Sequence, residues 1–131
     1  MTVSQQRKVR VLIVTQNLDH GGLEEVVLTY ATFLDSSLYD VAVACRKQGI
    51  VASEIATLPA VQLFCYDASG RWRRFAALWQ FARSFRPDIV HNHFNWYGLI
   101  IGLLVGAKRV ETIHNTYHWF PSGQRIAYNL Y

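Results

Sequence analysis

This sequence predicts a doubly wound parallel α/β sheet of about five strands with helices on both faces, and three observations predict it. Short, β-branched apolar runs recur along the chain, each bounded by turn residues. Amphipathic helical patterns alternate with them throughout. Each connection is long enough for a right-handed crossover between parallel neighbours.

The first run, Val9 to Thr15, is almost continuously apolar, as a strand covered on both faces requires. Gln16-Asn17-Leu18-Asp19-His20-Gly21-Gly22 leads out of it, and Val26, Val27, Tyr30, Ala31 and Leu34 then fall on one helical face. Strand, glycine pair, helix is the order that presents free backbone N–H groups to an anion. A tight turn that binds nothing fits the same residues, because the third glycine of a dinucleotide motif is absent. Glu24 and Glu25 also compete for the positive end of the helix dipole.

Tyr39 to Cys45 is the second strand, Arg46-Lys47-Gln48-Gly49 its turn, and Ile50 to Leu58 a short helix stopped by Pro59. Val61 to Tyr66 is the third strand, followed by the turn residues Asp67-Ala68-Ser69-Gly70. Between Arg71 and Phe85, the residues Trp72, Phe75, Leu78, Trp79, Ala82 and Phe85 recur at three and four, which predicts the longest helix. Arg86-Pro87-Asp88 ends it, since proline biases the preceding residue away from helix. Ile89 to His91 is the fourth strand, with Asn92 and His93 as its exit. Trp96 to Val105 is a helix of small residues, and Arg109 to His114 is the fifth strand.

The 131 residues amount to about one domain. A hydrophobic content of 51% and a charged fraction of 17% place the chain among globular proteins. The net charge of +4 comes with no nucleic-acid reading motif, so no nucleic-acid partner is expected. Cys45 and Cys65 close successive strands and are expected to be reduced core thiols. No apolar run approaches the roughly 20 residues of a membrane span, and the polar start of the chain lacks a signal-peptide core, so a cytoplasmic location is expected. Gln124 to Tyr131 resembles an amphipathic helix cut off in mid-pattern, which predicts the front part of a longer protein. Apolar surface left open near the fifth strand and that helix predicts self-association, which light scattering would read.

In an open parallel sheet, ligands bind beyond the carboxyl ends of the strands. Asn17, Asp19, His20, Gly21 and Gly22 follow the first strand, and Tyr66, Asp67, Ser69, Arg71, Arg73 and Arg74 follow the third. His91, Asn92, His93, Asn95 and Trp96 follow the fourth, and His114, Asn115, Tyr117 and His118 the fifth. The five histidines therefore gather on one edge. His91, His93 and His114 allow a three-histidine metal set in one reading, but no carboxylate stands ready to orient them and no metal is assigned. Satisfying backbone groups in the crevice, or contacting a sugar hydroxyl or phosphate, are the alternatives. Arg71, Arg73 and Arg74 lie in the first turn of their helix, where cations oppose the dipole. They form a solvated basic face, or they meet a substrate phosphate or anionic lipid headgroups, with Trp72 at the interface.

Three motifs in order, Asn17-Leu18-Asp19-His20-Gly21-Gly22-Leu23-Glu24, Arg86-Pro87-Asp88-Ile89-Val90-His91-Asn92-His93 and Thr112-Ile113-His114-Asn115, carry a family likeness. From about Lys8 onward the chain resembles the N-terminal, Rossmann-like domain of retaining glycosyltransferases of the GT-B fold, family 4, which include enzymes of capsular, lipopolysaccharide and other cell-envelope polysaccharide biosynthesis. The resemblance implies that residues 8–131 are a partial acceptor-side domain and that a C-terminal domain holding most of a nucleoside-diphosphate sugar is absent. It implies that Gly21 and Gly22 approach the donor diphosphate and that His114 lies by the transferring sugar as the catalytic group. His93, with the loop near Asn95 and Tyr117, would line the acceptor pocket, and Asn17 with Arg71, Arg73 and Arg74 is assigned to the acceptor side of the same edge.

Gly22-Leu23-Glu24 stands where the family more often has Gly-Gly-Ala-Glu, and Asn115-Thr116 follows the histidine where glycine or aspartate is common. The implied partners are a nucleotide-sugar donor, a glycan or lipid-linked acceptor and a peripheral membrane contact. No cofactor is implied, and the fragment alone is expected to be inactive. A dehydrogenase is the first competing reading, opposed by Cys45-Arg46 where an acidic residue would close the second strand. A non-catalytic nucleotide- or membrane-binding module is the second.

Overall fold

The computed structural model describes residues 6–114. Its elements alternate in the order β1 (Val9–Leu18), α1 (Gly22–Phe33), β2 (Tyr39–Gln48), α2 (Ile50–Ala56), β3 (Val61–Cys65), α3 (Arg71–Phe85), β4 (Ile89–His93), α4 (Trp96–Leu104) and β5 (Lys108–Thr112). The strands form one parallel sheet in the order β3-β2-β1-β4-β5. From β1 the chain winds outward through β2 to β3, then crosses back to lay β4 on the other side of β1. The strand order therefore reverses between β1 and β4, the position where an open α/β sheet forms its crevice.

The continuous apolar character of β1 follows from its central place. Val11 and Ile13 face a core shared with Val27 and Ala31 of α1 and Val51 and Ile55 of α2. Leu12 and Val14 point the other way, against Leu78 and Ala82 of α3 and Tyr97 and Ile101 of α4. Each such side chain, fully buried, contributes about 1.5–3 kcal/mol, so β1 draws stability from both layers.

β1 and β2 run three residues further than expected, because Asn17 and Leu18 pair with Lys47 and Gln48. The polar, exposed Asn17, Lys47 and Gln48 still satisfy backbone groups in the ladder, and Leu18 returns to the core. β4 likewise continues through Asn92 to His93, whose partners are Glu111 and Thr112. The segment anticipated as an exit loop is part of the sheet, so His91 and His93 are held on its pleat.

α3 covers the expected span and stops at Arg86, which takes a left-handed conformation (φ 56°) while its N–H donates to the Ala82 carbonyl. Asp88 then fixes the α3–β4 turn to β1, accepting from the Arg10 backbone N–H at 2.8 Å and from the Arg7 guanidinium at 2.7 Å. Those two donors hold its carboxyl below the usual range. Cys45 and Cys65 sit side by side on β2 and β3 as free thiols, and burial pushes the Cys45 thiol up to about 12.

β5 is an edge strand, with Val110 45% exposed and Ile113, just after it, 50% exposed. Asn115, Tyr117, His118 and the terminal helical pattern lie outside the described residues. Among the described residues no helix is long and apolar enough to cross a membrane.

Candidate functional site

Parallel strands bring the ends of β1, β4 and β5 to one edge, and His20, His93 and His114 lie there together. On β4 the alternation of the pleat turns His91 and His93 toward α1, where the Tyr30 ring stands 4.8 Å from His91 and 6.0 Å from His93. The two imidazoles are 4.3 Å apart, and His114 continues the row 5.3 Å beyond His93.

Each ring has a polar anchor. His91 Nε2 meets Thr112 Oγ1 at 2.7 Å, and His93 Nδ1 meets His114 Nε2 at 3.0 Å. One imidazole of the second pair donates and the other accepts, so at least one is neutral. Among the described residues no group of three side chains is placed to hold a metal ion. The His93–His114 hydrogen bond takes up a nitrogen of each ring that a shared ion would use.

His93 is fully buried. Burial, with the neighbouring His91 and His114, pushes its pKa down to about 3, and burial with His114 lowers that of His91. The unfolded chain takes up a proton near pH 6.5, which the folded ring refuses. Stability is therefore full above about pH 6.5 and is lost as pH falls toward 3, by about 1–2 kcal/mol at pH 5 for His93. Urea midpoints at pH 5 and 7.5 measure this; a His93→Gln variant should show a flatter pH dependence, and an unchanged slope would refute the assignment.

The opposite face of β4 holds Asn92, whose side-chain amide donates to Glu111 Oε2 at 2.5 Å, while the Phe94 N–H reaches Glu111 Oε1 at 3.3 Å. Phe94 itself is left-handed (φ 58°), an uncommon conformation for a bulky residue, at the bend where β4 gives way to α4. Under this bend lies a buried polar cluster. The Tyr66 hydroxyl donates to the Thr15 carbonyl at 2.8 Å, and the Asn95 amide reaches both that carbonyl, at 3.3 Å, and the Tyr66 oxygen. Asn95 Oδ1 caps α4 by accepting from the Tyr97 N–H at 3.0 Å, and the Tyr97 hydroxyl donates to the Arg71 carbonyl at 3.0 Å. The cluster ties β1, at Thr15, to the chain after β3 and β4 and to the start of α3.

Two of the expected contact residues lie inside the protein. Asn95 is 2% exposed and hydrogen-bonded within the protein, where it supports the edge. Its position directly before an apolar helical run is an N-cap signature that points to the role observed. His93, at 0% exposure, reaches the edge only through the half-buried His114. Tyr117 lies outside the described residues.

The remaining expected residues are on the surface of the edge. Asn17 is exposed at the end of β1, and Gly21 and Gly22 open α1 with no side chain capping its N-terminus. The Glu24 carboxylate folds back so closely that a Cβ on Gly21 would stand 2.6 Å from its Oε2, so the helix end already has an internal anion beside it. Arg73 donates to Ser69 Oγ at 3.3 Å and Arg74 pairs with Asp67 at 3.1 Å. The turn's own acceptors thereby offset the cations at the α3 N-terminus. Arg71 lies 5.9 Å from the exposed Trp72 ring.

The profile described as Glycosyltransferase Family 4 matches residues 20–131. The chain belongs to glycosyltransferase family 4. No curated protein matches it. Among solved structures it is similar to HepE of Anabaena, crystallised in complex with UDP and glucose, with a TM-score of 0.66 and 16% identity. That likeness shows the fold, a GT-B-type Rossmann-like domain; it covers 93% of this family 4 chain and 35% of HepE.

Proposed function

We propose that this family 4 chain is the acceptor-side part of a retaining transferase that moves a sugar from a nucleoside-diphosphate donor to a cell-envelope glycan or lipid-linked acceptor. The observation that carries the reading is the buried His93 bonded to the half-buried His114, at the edge where strand order reverses and beside the open Gly21-Gly22 end of α1. HepE was crystallised with UDP and glucose, which supports a nucleotide-sugar donor here.

In such a transfer the anomeric C–O bond to the diphosphate breaks, the sugar gains oxocarbenium character, and the acceptor hydroxyl bonds to the same carbon from the face the diphosphate leaves, its proton passing to the departing diphosphate oxygen. Backbone N–H groups at Gly22 and Leu23 offset part of the charge on the departing diphosphate. His114, fixed through His93, hydrogen-bonds a hydroxyl of the transferring sugar, while Asn17 and Arg71 stand on the acceptor side with Arg73 and Arg74. The reading calls on no cofactor and places the reaction in the cytoplasm, at most peripheral to the inner face of the membrane. Most donor contacts are assigned to a second domain that follows this one.

Calorimetric titration of the 131-residue chain with UDP-glucose should accordingly give no micromolar binding. The full-length transferase should form a product whose anomeric configuration, read by NMR, matches that of the donor. Micromolar affinity for the chain alone, or an inverted product, would count against the proposal.

A further inference from the structure

At the end of the sheet opposite the histidines, a groove of about 1190 Å³ opens between the C-terminal ends of α3 and α4 and the start of β1. Arg7, Arg10, Arg83, Arg86 and Lys108 line it, with Asp88 as the opposing carboxylate. Five cations against one carboxylate leave a surplus of four, which equals the formal net charge of +4 on the whole chain. The rest of the molecule is electrically balanced. Arg7 already neutralises Asp88 at 2.7 Å, and Arg83, Arg86 and Lys108 join no ion pair among the described residues.

The groove is not only basic. Trp79, 37% exposed, lies in its wall with the Arg83 guanidinium 5.7 Å from the ring, and Leu104, 54% exposed, lines it from the end of α4. Trp79 and Arg83 belong to a longer stripe. Trp72, Trp79 and Arg83 follow at intervals of seven and four, which puts them on one side of α3, and Arg86 caps the end of that helix. Trp72 is 74% exposed at the other end of that helix, near the turn that Tyr97 ties to the histidine edge. At 1.5 Å per residue the stripe runs about 21 Å, from the histidine edge to the groove.

We propose that this side of the molecule, the groove and the Trp72-to-Arg86 stripe, is a docking surface for an anionic membrane. A free phosphate or a polyanion would use the cations but has no use for an exposed leucine beside them. A bilayer supplies both partners: anionic headgroups for the guanidinium and ammonium groups, and an apolar boundary for Trp79 and Leu104. With α3 laid lengthwise on the surface, the histidine edge stays at headgroup level. The inference stands apart from the chemistry at that edge, and its test uses no sugar donor.

The test is flotation of the chain with phosphatidylcholine vesicles, and with vesicles in which phosphatidylglycerol replaces about one third of that lipid. The chain should float only with the second and come off as salt rises. An Arg83→Glu/Lys108→Glu variant, which spares the left-handed Arg86 and the Asp88 pair, should bind about thirtyfold more weakly, given about 1 kcal/mol per basic side chain at such a surface. Leu104→Ser should weaken binding severalfold at unchanged charge; circular dichroism checks that each variant folds, and this one keeps the test alive where the charge reversal does not. Failure of the unaltered chain to float, or equal flotation of the charge-reversed variant, would overturn the proposal. So would undiminished binding by Leu104→Ser, which would make the groove a simple polyanion site. Loss of flotation confined to an Arg71→Glu/Arg73→Glu variant would move the contact to the histidine edge and overturn it equally.

Discussion

Replacing Gly98 by alanine is expected to lower stability by about 2–4 kcal/mol, combining overpacking with strain on a buried hydrogen bond. A Cβ on Gly98 would stand 2.1 Å from Asn92 Oδ1, 2.8 Å from its Cγ and 3.2 Å from Val14 Cβ. Asn92 is fully buried and its amide is held by Glu111 at 2.5 Å, so it cannot swing aside without breaking that bond. The usual gain of about 1 kcal/mol from removing a helical glycine is too small to offset this. Gly102, one turn on, is the comparison: its nearest neighbour is Arg109 Cγ at 2.7 Å, on an exposed side chain and not on a buried amide, so Gly102→Ala should cost less than Gly98→Ala. Urea denaturation with an unchanged m-value reads both. Equal midpoints for the two variants would mean that α4 does not sit on β4 and β1 as closely as described.

The same pair of glycines shows how far the sequence could be read. The small-residue character of the Trp96 helix was visible, and with it a helix able to approach the sheet. Which glycine is indispensable was not, because that depends on Asn92 pointing at Gly98 across two elements. The strand order has the same character. Periodicity marked β1 to β5 and the span of α3, because buried parallel strands and amphipathic helices leave one-dimensional signatures. The extra length of β1 and β4 left none: Asn17, Asn92 and His93 are polar, and only pairing with a neighbouring strand makes them part of the sheet.

The edge was legible as a gathering of residues but not as a division of labour. His114 and Asn17 look out, whereas His93 and Asn95, alike in polarity, are buried under them. The Tyr66–Asn95–Thr15 cluster joins residues far apart in the chain, so no local spacing announces it. The cap before Trp96 was its one sequence-level trace. Likewise nothing local told Arg74, paired with Asp67, from Arg83, free of ion pairs among the described residues.

That division sets the expected result for the chemistry. In the proposed full-length transferase, His114→Ala should lower kcat about a hundredfold, the scale for losing one preorganised hydrogen bond that strengthens in the transition state, with a smaller change in KM. A contact made chiefly in the transition state affects kcat and kcat/KM together. His93→Gln should act differently. It removes the imidazole that bonds His114 at 3.0 Å but leaves an amide able to donate or accept, so His114 stays in place with a less fixed ring. A loss of about tenfold is expected there, the cost of imperfect positioning of a group that itself remains. If His93→Gln proves as damaging as His114→Ala while the protein stays folded, the buried ring acts on the substrate directly. If His114→Ala leaves kcat unchanged, the sugar passes elsewhere along the edge, and the exposed Asn17 beside the glycine pair becomes the residue to test.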